Sequence, residues 1–269
     1  MKPQKITKNR IWELDFIRGL AIIGVVFVHT VFDINYLFRV FDRPFLYGNP
    51  VFDAVQHYGS LIFIILSGIC VPRGSRNIKR GLLVFGGGTL VSAATYIGVL
   101  LGLLNKADRI DFGILSCLGL CMLAYSLFAD CNKYIVALIG IMFAALGYYL
   151  AGKTAQNDLL AFLGYRSASY SAGDYFPFIV NFGYFLIGAF LGRTFYADGK
   201  SLLPFFNDRT PVINIFCLIG RNTLWIYLVL EGLHGEGRCV VERISGDLSE
   251  ERCIVCQVVL IAELLLCEN

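Results

Sequence analysis

Trp12-Glu13-Leu14-Asp15-Phe16-Ile17-Arg18-Gly19-Leu20-Ala21-Ile22-Ile23-Gly24-Val25-Val26-Phe27-Val28-His29-Thr30-Val31-Phe32-Asp33 decides the fold. Its apolar run extends from about Phe16 to Phe38, the roughly 20 residues that cross a bilayer as a helix. Basic residues precede it at Lys2, Lys5, Lys8 and Arg10. A secretory leader has a shorter apolar region and a small-residue cleavage site. No such site closes this run, so it reads as a retained first span.

The rest of the chain repeats that pattern. Of 269 residues, 57% are hydrophobic and only 16% charged, against about 25% charged in ordinary soluble domains. Mean hydropathy is +0.65. These values exclude a soluble enzyme and a disordered chain. The net charge of +3 is scattered over short clusters, too weak and dispersed for a nucleic-acid surface. Further apolar stretches fall at about 51–71, 82–104, 110–129, 132–151 and 176–196. A seventh, about 211–230, is interrupted at Gly220-Arg221-Asn222-Thr223, and an eighth, about 253–267, is short. Runs this long favour helices over barrel strands. The expected fold is an all-α polytopic membrane protein, a bundle of about seven or eight transmembrane helices.

Orientation follows from the loops. Arg73, Arg76, Lys79 and Arg80 lie together with no acid, whereas Arg39, Arg43, Lys106 and Arg109 alternate with Asp42, Asp53, Asp108 and Asp111. The basic excess predicts a cytoplasmic N-terminus and a cytoplasmic 72–81 loop. Gly86 to Gly88 and the Gly188/Gly192 pair predict close helix contacts.

Cys70, Cys117, Cys121 and Cys217 sit inside apolar stretches, where free cysteine acts as a small hydrophobe. Cys253 and Cys256 have metal-pair spacing, but no second pair completes a site. No metal is expected.

Ionisable groups within a membrane helix are costly and face a cavity or a partner. Arg18 and His29 are eleven residues apart, about three turns and roughly 16 Å along one helix face. Asp33 is one turn beyond His29. One reading makes this stripe a reaction axis. Arg18 holds an anionic group, His29 acts as general base, and Asp33 orients its imidazole. The bland reading has Arg18 snorkelling and His29 satisfied in a core. The 72–81 loop likewise reads as a topology anchor or a phosphate-binding patch. His57, Asp111, Ser116 and Asn181 are compatible with a polar cavity and equally with helix-end polarity.

Several segments, in order, resemble the bacterial heparan-α-glucosaminide N-acetyltransferase-like family. They are Arg10 to Ile23 followed by His29, Ile65-Leu66-Ser67-Gly68-Ile69 with its basic loop, and Phe112-Gly113-Ile114-Leu115 with Leu118-Gly119. Tyr175-Phe176-Pro177, Gly188 to Gly192 and Ile219 to Tyr227 complete the set. The resemblance covers about residues 10–229. Arg18 and His29 also resemble the signature of the wider transmembrane acyltransferases that modify surface polysaccharides.

The resemblance implies an acetyl or other acyl group passed from cytoplasmic acyl-CoA to an extracytoplasmic sugar amine or hydroxyl, in a bacterial-type cytoplasmic membrane. It implies His29 as the catalytic histidine, Arg18 on the CoA side, and Arg73 and Arg76 as contacts for the CoA phosphates. Two departures stand out. Ser116 replaces an expected histidine, and Leu230-Glu231-Gly232 replaces the His-Gln-Pro ending of the last motif. A proton-coupled transporter using His29 and Asp33, and a catalytically degenerate membrane protein, are the alternatives.

The expected division is a transmembrane domain, 1–229, and an atypical tail, 230–269. From Leu228 onward there is no Phe, Tyr or Trp in a chain that is 14% aromatic, and four cysteines appear. The tail reads as a frame error or a truncated last helix.

Overall fold

The computed structural model describes residues 11–32, 34–35, 46, 49–74, 76–100, 109–203, 210–227 and 230. Asp33, the tail beyond 230 and the eighth apolar stretch lie outside them, as do the side chains of Phe32, Asp53, Gln56 and His57.

Seven α-helices are described. They are α1 (Trp12–Phe32), α2 (Pro50–Cys70), α3 (Asn77–Leu100), α4 (Ile114–Tyr125), α5 (Lys133–Ala151), α6 (Phe178–Phe195) and α7 (Pro211–Arg221). Four regions, 12–31, 77–100, 133–151 and 178–195, are long and apolar enough to cross a membrane, and three shorter apolar helices accompany them. The helix starts have local causes. Asn49 accepts a hydrogen bond from the Val51 N–H and Pro50 occupies the first turn of α2. Asn132 accepts from the Tyr134 N–H at the start of α5. Both satisfy donors that a helix start leaves unpaired. The interruption expected in the seventh stretch falls at Asn222, where α7 ends before a further helical turn to Tyr227.

The main core lies between α2, α4 and α6, with Ile64, Leu118, Tyr125, Phe182, Phe185 and Leu186 at its centre. Helices α2 and α6 touch backbone to backbone. A Cβ at Gly68 would strike the Phe185 carbonyl, and one at Gly188 or Gly192 would strike the carbonyl of Ile65 or Ile69. The small-residue pair at 188 and 192 thus makes the close contact expected of it. Helix α5 packs antiparallel on α6, and α3 on α4. The outward face of α5, including Leu138, Ile141 and Met142, is exposed, as a lipid-facing surface is.

One departure from an all-helical reading occurs at the ends of α4 and α6. The stretch expected to be helical from 110 begins as a strand, β1 (Ile110–Phe112), paired in parallel with β2 (Asp174–Tyr175). Gly173 N–H donates to the Arg109 carbonyl at 2.8 Å and Phe176 N–H to the Phe112 carbonyl at 2.9 Å. Asp174 then accepts from the Ile114 N–H at 3.2 Å and caps α4. The segment thereby binds the loop before α6 to the start of α4.

Candidate functional site

One end of the bundle gathers the start of α1, the end of α2, the end of α6 and α7. Ile11, Leu14, Leu66 and Tyr196 form a small apolar cluster there. The Glu13 carboxylate is buried, and carboxylates are rarely buried without partners. It accepts from the Ser201 hydroxyl at 2.6 Å and the Leu202 N–H at 2.7 Å. These bonds tie the chain after α6 to the first turn of α1.

Asp15, one residue on, is also buried. Its Oδ1 accepts from Arg18 Nη1 at 3.0 Å and its Oδ2 from Arg221 Nε at 3.2 Å. An unpaired carboxylate in that position would be strongly destabilising. The pairing is possible because α1 and α7 meet backbone to backbone. A Cβ at Gly19 would strike the Phe216 carbonyl, and one at Gly220 would strike that of Asp15. Arg18 and Arg221, each adjacent to one of these glycines, are brought to one carboxylate by that contact. Arg18 and Arg80 both lie close enough to the Cys70 thiol to act on it electrostatically.

The three cations expected on the donor side thus lie on this end of the bundle. Arg18 is ion-paired with Asp15. Arg73, in the 3-10 turn Val71–Arg73, donates from Nη1 to the Tyr196 carbonyl at 3.0 Å and lies against Gly199. That bond covers a carbonyl at the end of α6, where cations are favourable. Arg76, Lys79 and Arg80 are exposed.

His29 is half-buried, in the last turns of α1. Phe27 packs on Phe52 with ring centroids 6.1 Å apart, so this half of α1 lies against the first turn of α2. The orientation of Asp33 toward His29 lies outside the described residues.

The remaining candidates resolve into helix-end and seam roles. Asn181 donates its side-chain N–H to the Pro177 carbonyl at 2.8 Å, within its own first turn. Asp111 pairs with Arg109. Arg109 lies over the Tyr96 ring, and the Asp111 carboxylate acts electrostatically on the Tyr170 hydroxyl. Burial and the Asp111 carboxylate push the Tyr170 phenol above its ordinary value. Ser116 is fully buried against Gly88 in the α3–α4 seam. That seam has no room for an imidazole unless the helices separate, because interiors are close-packed. Among the described residues no three His, Cys, Asp or Glu side chains converge on a point.

Sequence reasoning gave no role to three residues that organise this architecture: Asp15, Arg221 and Arg193. The signal was present in each case, an ionisable residue inside a mostly apolar stretch. The partner was not legible, since Asp15 and Arg221 are 206 positions apart.

The sequence model of the heparan-alpha-glucosaminide N-acetyltransferase catalytic family matches residues 10–231. That match takes in both glycine contacts, the Asp15 cluster and His29. No curated protein and no solved structure matches the chain.

Proposed function

Because this chain belongs to the heparan-alpha-glucosaminide N-acetyltransferase catalytic family, we propose that it transfers an acetyl or other acyl group across the membrane. The donor is acyl-CoA on the side of the 72–81 loop, and the acceptor is a saccharide amine or hydroxyl on the other side. The N-terminus is then cytoplasmic. The observation that carries this reading is the distribution of charge along α1. Arg18 sits in a cationic cluster at one end, with Arg80 near it. His29 lies roughly 16 Å further along the same helix face. CoA is too anionic to enter lipid, but an acetyl group is small and neutral. A cationic end that retains the phosphates and an imidazole deeper in the bilayer suit the two halves of such a substrate.

In this reading His29 removes a proton from the acceptor as its oxygen or nitrogen attacks the thioester carbonyl. The carbon–sulfur bond breaks, the imidazolium of His29 returns that proton to the departing thiolate, and CoA leaves as the thiol on the donor side. To Asp33, four positions further along the sequence, we assign the fixing of the tautomer. Arg76 and Arg73 add phosphate contacts around Arg18.

The test is purified protein in sealed liposomes, with acetyl-labelled acetyl-CoA outside and glucosamine inside. Labelled N-acetylglucosamine inside the liposomes, dependent on the protein, supports the proposal. Absence of labelled product, across a panel of amino sugars and saccharide hydroxyl acceptors, would overturn it.

A further inference from the structure

The Asp15 cluster holds more positive charge than its architecture requires. Asp15 holds two guanidiniums by one hydrogen bond each, Arg18 on Oδ1 and Arg221 on Oδ2, so the three side chains together carry a net positive charge. The α1–α7 contact does not need the second cation, because Gly19 and Gly220 already bring the backbones together. The other buried acid at this end, Glu13, is occupied by Ser201 and Leu202. Arg80 adds a further positive charge near Cys70.

The exposures separate the roles. The Asp15 side chain is 9% exposed, whereas Arg18 is 26% and Arg221 32% exposed. The carboxylate is therefore the inner part, and both guanidiniums reach the surface. Each guanidinium carries five N–H donors, and Asp15 takes one from each. Arg221 engages it through Nε, and its Nη groups do not share that bond. Planar forks of this kind match phosphate oxygens two at a time.

We propose that Arg18 and Arg221, held side by side by Asp15, form a two-guanidinium seat for a diphosphate, and that its ligand is the diphosphate of the acyl-CoA donor. The proposal rests on the acyl-CoA reading above and adds Arg221 as a binding residue and Asp15 as a positioning residue. The seat is shared between α1 and α7.

The experiment is calorimetric titration of the full-length protein in detergent, with CoA and separately with inorganic pyrophosphate, at one fixed ionic strength. Wild-type protein binds CoA, and pyrophosphate competes for it. Charged hydrogen bonds of this type make Arg221→Ala weaken CoA binding by about tenfold or more. The donor KM rises to match while kcat at saturating donor changes little. Arg221→Lys keeps a charge without the fork and recovers only part of the affinity. Asp15→Asn, which leaves both cations in place, also weakens binding because the forks lose their common anchor. Two results would overturn the seat. One is CoA affinity in monodisperse Arg221→Ala or Arg221→Lys protein within about twofold of wild type. The other is a pyrophosphate that fails to displace CoA, which needs no variant to fold. A protein that binds pyrophosphate through Arg221 and ignores CoA would uphold the anion seat and overturn the acyl-CoA reading instead.

Discussion

Arg193, in the last turn of α6, fastens that helix to the end of α4. Its Nε and Nη2 donate to the Tyr125 hydroxyl at 3.0 and 2.5 Å. Nη1 donates to the Cys131 carbonyl at 2.6 Å, and Nη2 reaches the Phe128 and Ala129 carbonyls at 3.2 and 2.6 Å. One side chain thus covers the carbonyls that a helix end leaves without intrahelical partners. Arg193→Met keeps the apolar stem and deletes every one of these bonds. Hydrogen bonds to a charged group contribute about 1.5–3 kcal/mol each, but bonds from one side chain do not add independently. The Ala129 bond is exposed, which discounts it further. A net loss of roughly 2–4 kcal/mol follows, equivalent to a melting-point drop of about 5–15 °C for a chain of this size. Arg193→Lys reaches one or two of the acceptors and recovers less than half. The assay is the thermal midpoint of the detergent-solubilised protein, followed by fluorescence-detected size exclusion. A midpoint for Arg193→Met within about 2 °C of the parent would refute the reasoning.

Arg73 and Arg76 differ in stability but not in donor use: Arg73→Ala lowers the thermal midpoint because the Tyr196 carbonyl loses its donor and also raises the donor KM, whereas Arg76→Ala, at an exposed position, leaves the midpoint unchanged and raises the donor KM. A single cysteine at position 78, in a background without other reactive cysteines, resists a membrane-impermeant thiol reagent in intact cells and reacts after permeabilisation; ready labelling from outside contradicts the orientation. Hydrogen bonds from the Ser167 hydroxyl and N–H hold the Asp158 carboxyl below its usual range. A depressed folded-state pKa gives stability that is present above the ordinary carboxylate value and lost as pH falls through the folded one. Proteolysis of the 152–173 loop therefore accelerates below about pH 4, and Asp158→Asn removes that pH dependence.

What was legible in the sequence was whatever one helix determines by itself. The second apolar stretch, placed at 51–71, is α2 at Pro50–Cys70, and the fifth, placed at 132–151, is α5 at Lys133–Ala151. Each begins at an asparagine cap that local chemistry announces. The fourth stretch shows the limit of that reading. Ile110 and Phe112 are apolar enough for a helix, but they pair with a partner more than 60 residues away. Strand pairing at long range leaves no periodic trace in three residues. The site followed the same division. Arg18 and His29 share a face because of helix geometry alone. The Arg18–Asp15–Arg221 arrangement needed the Gly19–Gly220 contact, which only the folded chain creates. Ser116 stands where the resemblance leads one to expect a histidine, and in the fold it fills a helix seam against Gly88.

The central claim is that α1 carries the acyl-transferring base. His29→Gln keeps approximate size and hydrogen bonding but removes basicity and nucleophilicity. The direct measurement is the single-turnover rate of acetyl transfer from labelled acetyl-CoA to a saccharide amine, in folded His29→Gln protein whose CoA affinity equals that of the parent. General-base catalysis is worth about 10²–10⁴ in rate, so a loss of at least about a hundredfold with unchanged donor binding is the predicted result. A rate within about threefold of the parent would contradict the account and make His29 a structural residue.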